Sequence, residues 1–84
     1  MPPPSPPPDM LAHLRSVVGL HADRIAAGRE PEQVGYRATC RIAGMLGAGR
    51  LPPPQQVALH TWICDALRDE TAAARAKVQP GPRW

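Results

Sequence analysis

The side chains with the widest chemistry are two cysteines and three histidines. His60 and Cys64 stand four residues apart, a spacing that sets an imidazole and a thiol on one side of a helix, where they could share a zinc ion. A closed structural site needs four ligands, so Cys40 and His21 would have to complete it. Counting ~100° per residue turns Cys40 away from Val34, Ala38, Ile42 and Met45, the neighbours expected to face the interior, whereas His21 falls on the apolar side of its own segment. The four groups are therefore expected not to converge. Neighbouring ligand pairs such as CxxC are missing, so no metal and no other cofactor is expected. The same geometry disfavours a Cys40 to Cys64 disulfide and leaves Cys64 as a small hydrophobe.

Nucleophilic catalysis needs a thiol or hydroxyl with a base in reach and a pocket that excludes water. Cys64 with His60 is the local pair. No glycine-rich phosphate loop, nucleophile elbow or paired-carboxylate motif accompanies it. A chain of 84 residues has a thin core and little room for a cleft, so the expectation is a protein that is not an enzyme.

Arginine offers a different chemistry. Arg37 and Arg41 lie four apart, with Arg50 just beyond. Together with Gln33 and Tyr36 they would form the phosphate- and base-reading edge of a recognition helix. The joint Gly28 to Pro31 is short enough for a helix-turn-helix, whereas Gly47 to Pro54 is too long. Against this, all but one of the ten basic residues are arginine in a chain rich in alanine, glycine and proline, which a high-GC coding bias also produces. Asp23, Glu30, Glu32, Asp65, Asp69 and Glu70 further dilute a formal charge of only +3. Nucleic-acid binding through Gln33, Arg37, Arg41 and Arg50 is therefore the second reading.

The first reading is protein contact. Tyr36, Cys40, Ala43, Gly44 and Gly47 gather on the side of the second helix opposite its bulky apolar residues. Interior glycines cost a helix about 1 kcal/mol each relative to alanine, so Gly35 and Gly44 call for a reason, and close approach of another backbone is one. Leu20, projecting away from the apolar side of the first helix, is a weaker pointer to a contact surface. The expected function is thus a small helical interaction module or regulator that pairs with a copy of itself or with another protein through that small-residue face.

Three helices must position these groups. Residues 1–8 are nearly all proline and are expected to form a disordered tail without tertiary contacts. Asp9 then caps a helix through Leu11, Leu14, Val18, His21 and Ile25, which Gly28 ends. Pro31 opens a second helix bearing Val34, Ala38, Ile42, Met45 and Leu46 on its inner side, stopped by Gly47 and Gly49. The triple proline Pro52 to Pro54 opens the third, which runs to about Val78 with Ile63 central on its apolar side and Trp62 as the one bulky ring for the interior. Residues 79–84 read as a flexible tail. The expectation is an all-α, three-helix bundle or array over residues 9–78. No run reaches the ~18 apolar residues of a membrane span, and no secretory signal pattern opens the chain, so a cytoplasmic location is expected.

Overall fold

A computed structural model describes residues 5–78, and among these there are three helices and no strand. Helix α1 spans Pro8–Ala26, α2 Glu32–Met45 and α3 Pro53–Val78, with a single 3₁₀ turn at Ala48–Arg50 before α3. Each helix starts behind a proline whose carbonyl accepts the first amides: Leu11 to Pro7 at 3.1 Å, Val34 to Pro31 at 3.1 Å, and Gln55 and Gln56 to Pro52 at 2.9 and 3.0 Å. Proline suits these positions because its missing N–H would have had no partner in the first turn. Asp9 does not cap α1; it lies inside the first turn, where its charge still complements the helix dipole.

The end of α1 is set by Gly28, whose φ of 75° only glycine adopts without strain. There the amide of Gly28 reaches the carbonyl of Ile25 at 3.0 Å and that of Arg29 reaches Arg24 at 2.9 Å, the paired bonds of a Schellman stop.

Helices α1 and α3 bury side chains at matching intervals. Met10, Leu14, Val18, Ala22 and Ile25 face Leu59, Ile63, Leu67, Thr71 and Ala74, each set stepping by four, four, four and three residues. These stripes make the largest interface in the molecule. The two helices run parallel: the Gln55 side-chain amide donates to the carbonyl of Ser5 at 3.2 Å near one end, and Ile25 lies with Thr71 near the other. Helix α2 runs the opposite way, with Glu32 3.9 Å from Arg75 at its start and Gly44 grouped with Leu59 towards its finish. Leu14, Val18 and Ile63 at the centre are fully excluded from solvent.

Three expectations are corrected. Helix α2 is turned about its axis relative to the sequence reading: Gly35, Thr39 and Ala43 are buried, whereas Val34, Met45 and Leu46 are 47%, 76% and 39% exposed. Small side chains at four-residue intervals let α2 close on its neighbours, and the buried Thr39 hydroxyl is satisfied by donating to the Gly35 carbonyl at 2.8 Å. Trp62 is half-buried on a flank of α3, with the Arg15 guanidinium 5.6 Å above its ring, and Ile63 holds the interior position instead. The expected tail over residues 1–8 is in part packed, since Pro6 is buried and Pro8 already belongs to α1. Residues 1–4 of that tail, and the expected tail over 79–84, lie outside the described residues.

Gly35 is the tightest point of the seam. A β-carbon there would stand 3.0 Å from Ile25 Cδ1, 3.1 Å from Glu30 Oε2 and 3.3 Å from His21 Cβ, whereas one at Gly44 would meet nothing within 4 Å. Gly35→Ala should therefore lower the thermal midpoint despite alanine's better helix propensity, by the several degrees that a net loss of ~1 kcal/mol produces in a domain this size. Gly44→Ala should raise it by a similar amount, because only the propensity term of about 1 kcal/mol operates. Melts of the two variants beside the parent check the pair, and equal behaviour would show that the seam at Gly35 is not tight.

Candidate functional site

Helix α2 presents two flanks. On the one towards α3, Tyr36 and Cys40, one turn apart, meet His60 and Cys64, one turn apart on α3. The Tyr36 hydroxyl and His60 Nδ1 are hydrogen-bonded at 3.0 Å, and Cys40 Sγ stands 3.9 Å from the same nitrogen. Cys64 is exposed and lines one shallow cleft with Tyr36. Two of the four groups expected to stay apart, Cys40 and His60, are thus brought together, because the rotation of α2 carries Cys40 inward. His21 is elsewhere: its Nδ1–H donates to Glu30 Oε2 at 2.6 Å at the α1–α2 joint.

Proximity does not make this cluster reactive. Burial pushes the Cys40 thiol above its ordinary pKa, and the charge of a Cys64 thiolate would push it further, against the opposing pull of the Tyr36 hydroxyl. Cys40 is therefore a neutral thiol at physiological pH and a poor nucleophile. The imidazole nitrogen that faces it is shared with the phenol. Tyr36 itself is pushed up to about 12, chiefly by its hydrogen bond with Cys40 and then by burial, since losing its proton beside a Cys40 thiolate would set two negative charges side by side. Among the described residues no three His, Cys, Asp or Glu side chains are grouped so as to hold a metal ion. The cluster does the work of a polar seam between α2 and α3.

The other flank, towards α1, is open. Val17 and Leu20 of α1 and Val34, Ala38 and Ile42 of α2 line a groove of about 460 Å³, with Arg37 and Arg41 on its α2 lip and His21 at its α1 edge. Leu20 is 52% exposed, and Met45 continues the apolar row of α2 beyond the groove. Helices α1 and α2 meet at their buried sides, and no third helix covers the outer angle between them. No family model matches this chain, and no curated protein or solved structure matches it either.

Of the residues expected to form a protein interface, Cys40, Ala43 and Gly44 line one cleft against α3. Ala43 is buried, Tyr36 and Cys40 are packed against the core, Gly44 is open, and Gly47 serves the turn after α2 with a φ of 97°. The expected nucleic-acid residues Gln33, Arg37 and Arg41 are all exposed on α2, while Arg50 stands on the 3₁₀ turn beyond its end. Val34 belongs to the expected inner side of α2 and instead lines this groove, which the sequence pattern of α2 does not reveal. The off-face position of Leu20 was its one visible sign.

The raised Tyr36 supplies a test of the seam, since it is the single tyrosine of the chain. Followed by tyrosinate absorbance, it should titrate near pH 12 rather than the ordinary 10.0, and Cys40→Ala should move the midpoint back towards the ordinary value. The folded state holds this proton more tightly than the unfolded chain does. Its contribution to stability is thus complete below pH 10 and is lost as pH rises through about 12, so the melt should fall across that window. An ordinary titration in the folded parent would show that Tyr36 is free of the seam.

Proposed function

We propose that this protein is a non-catalytic helical interaction module that binds other proteins through the groove between α1 and α2. The observation that carries the reading is the set of apolar side chains that line the groove, led by Val34 of α2 at 47% and Leu20 of α1 at 52% exposure, with Met45 at 76% just beyond it. Scattered exposed apolar residues are ordinary, but a contiguous row lining a concave slot on a small domain marks a place where another surface sits. Burying it returns about 25 cal/mol per Å² of apolar area. The neutral, engaged thiol of Cys40 supports the non-catalytic half of the reading. We place the protein in the cytoplasm, where free thiols at Cys40 and Cys64 would remain reduced. Among the described residues no helix is long and apolar enough to cross a membrane.

Nucleic acid remains the second reading, on the observation that Gln33, Arg37 and Arg41 are exposed together on α2. The apolar floor beside them offers nothing to a phosphate, which is why it ranks second. Salt separates the two, because phosphate contacts weaken steeply with ionic strength and apolar burial does not.

The face used can be tested with a photo-crosslinking amino acid placed at Val34 and, as a control, at the exposed Thr61 of α3, in the full chain expressed in its host. Discrete adducts are expected from position 34, unaffected by moderate salt and lost when Leu20→Asp is added. Position 61 should give none. Equal labelling from both positions, or none from position 34, overturns the groove as the working surface. Tight, salt-sensitive binding of a labelled duplex lost in Arg37→Glu would promote the nucleic-acid reading instead.

A further inference from the structure

The groove also carries information about what fills it. Its floor is aliphatic throughout, and among the described residues the only permanently charged side chains lining it are Arg37 and Arg41. Among the described residues no acidic side chain lines it. Glu30, at the nearby joint, is tied to His21 and lies 4.0 Å from Arg24, so it does not offset the lip. From Val34 to Ile42 the α2 wall rises eight residues, about 12 Å at 1.5 Å each. That is a little over two turns, the length over which a partner helix offers anchors at i, i+3 or i+4, and i+7.

Resting on the groove reading above, we infer that the occupant is an amphipathic helix of another protein, with aliphatic anchors on the groove floor and Asp or Glu on the flank that meets Arg37 and Arg41. A slot between two helices is concave and accepts one helix, whereas a lipid surface is met by a convex apolar face. A second copy of this chain is the poorer occupant. A two-fold axis through the groove would bring one Arg37 and Arg41 pair towards the other, on a molecule already carrying +3. With so short a groove the contact belongs to the weak, transient class, with a dissociation constant on the order of micromolar.

A display library of helical peptides of about four turns, with both anchors and flanks randomised, tests this when panned against the full chain. The expected winners carry Leu, Ile, Val or Met at helical spacing and Asp or Glu along one flank. Their affinity should fall on the order of tenfold in Arg37→Glu/Arg41→Glu, which should in turn prefer lysine-flanked versions of the same peptides. Val34→Asp, at an exposed position that leaves the fold intact by circular dichroism, should abolish binding of both.

Winners that are lost with Val34→Asp but carry no acidic bias overturn the acidic occupant and leave the groove standing. Winners indifferent to Val34→Asp overturn the groove itself. A library that yields no helical pattern overturns the inference, as does a parent chain that sediments as a dimer and becomes a monomer on Val34→Asp. Co-sedimentation with anionic vesicles, lost in the same variant, would assign the face to lipid and overturn it too.

Discussion

The close approach of α2 to the rest of the molecule is the constraint on which the other features depend. Gly35, Thr39 and Ala43 turn inward at four-residue steps, and none carries a side chain long enough to hold the helix away. At Gly35 the space that a side chain would occupy is filled by the end of Ile25 and the carboxylate of Glu30. With that seam inward, the helical period sends Val34, Ala38, Met45 and the two arginines to the outside and brings Tyr36 and Cys40 against α3. Both candidate surfaces are thus consequences of one choice about which side of α2 packs.

The polar groups around the seam hold that choice in place. His21 and Glu30, each only about a tenth exposed, join the end of α1 to the loop before α2 by a bond of 2.6 Å, so the loop enters α2 at a fixed angle. On the far side, Gln56 donates to the carbonyls of Leu51 and Gly49 at 2.8 and 3.3 Å, tying the connection between α2 and α3 to the start of α3. A hydrogen bond made by a partly buried group stabilises modestly, but leaving such a group without a partner costs more. Among the described residues no buried side-chain nitrogen or oxygen lacks a partner. These bonds therefore act mainly against alternative packings that would bury Glu30 away from His21.

Most of the architecture was legible in the sequence, because it rests on local signals. Proline before each helix, glycine after two of them and the spacing of Leu14, Val18 and Ile63 each have one physical reading. The face of α2 was not legible for an equally physical reason. Ranking its sides by hydrophobicity favours Val34, Ile42 and Met45 over Gly35, Thr39 and Ala43. Hydrophobicity measures what a residue gains by burial, however, and not how near a neighbouring backbone can come. In a thin three-helix domain the second term wins at the crossing point, and the sequence shows it only as two interior glycines. Of these Gly35 answers to close approach, whereas Gly44 faces open space. The approach of Cys40 to His60 was hidden by the same rotation.

The residues with the richest intrinsic chemistry are consequently not those best placed to act. Cys40, Tyr36 and His60 satisfy one another across a helix seam, where burial favours the protonated thiol and the imidazole nitrogen is shared between thiol and phenol. The groove is built from the opposite situation. Val34, Leu20 and Ile42 have no chemistry beyond their reluctance to face water, yet they are the side chains whose demand the fold leaves unmet. Binding draws on what a folded chain has not already satisfied within itself. By that criterion the surface we propose as the working one is the aliphatic slot with its arginine lip, and the polar cluster of Tyr36, Cys40 and His60 lies at the seam that fixes how α2 is turned.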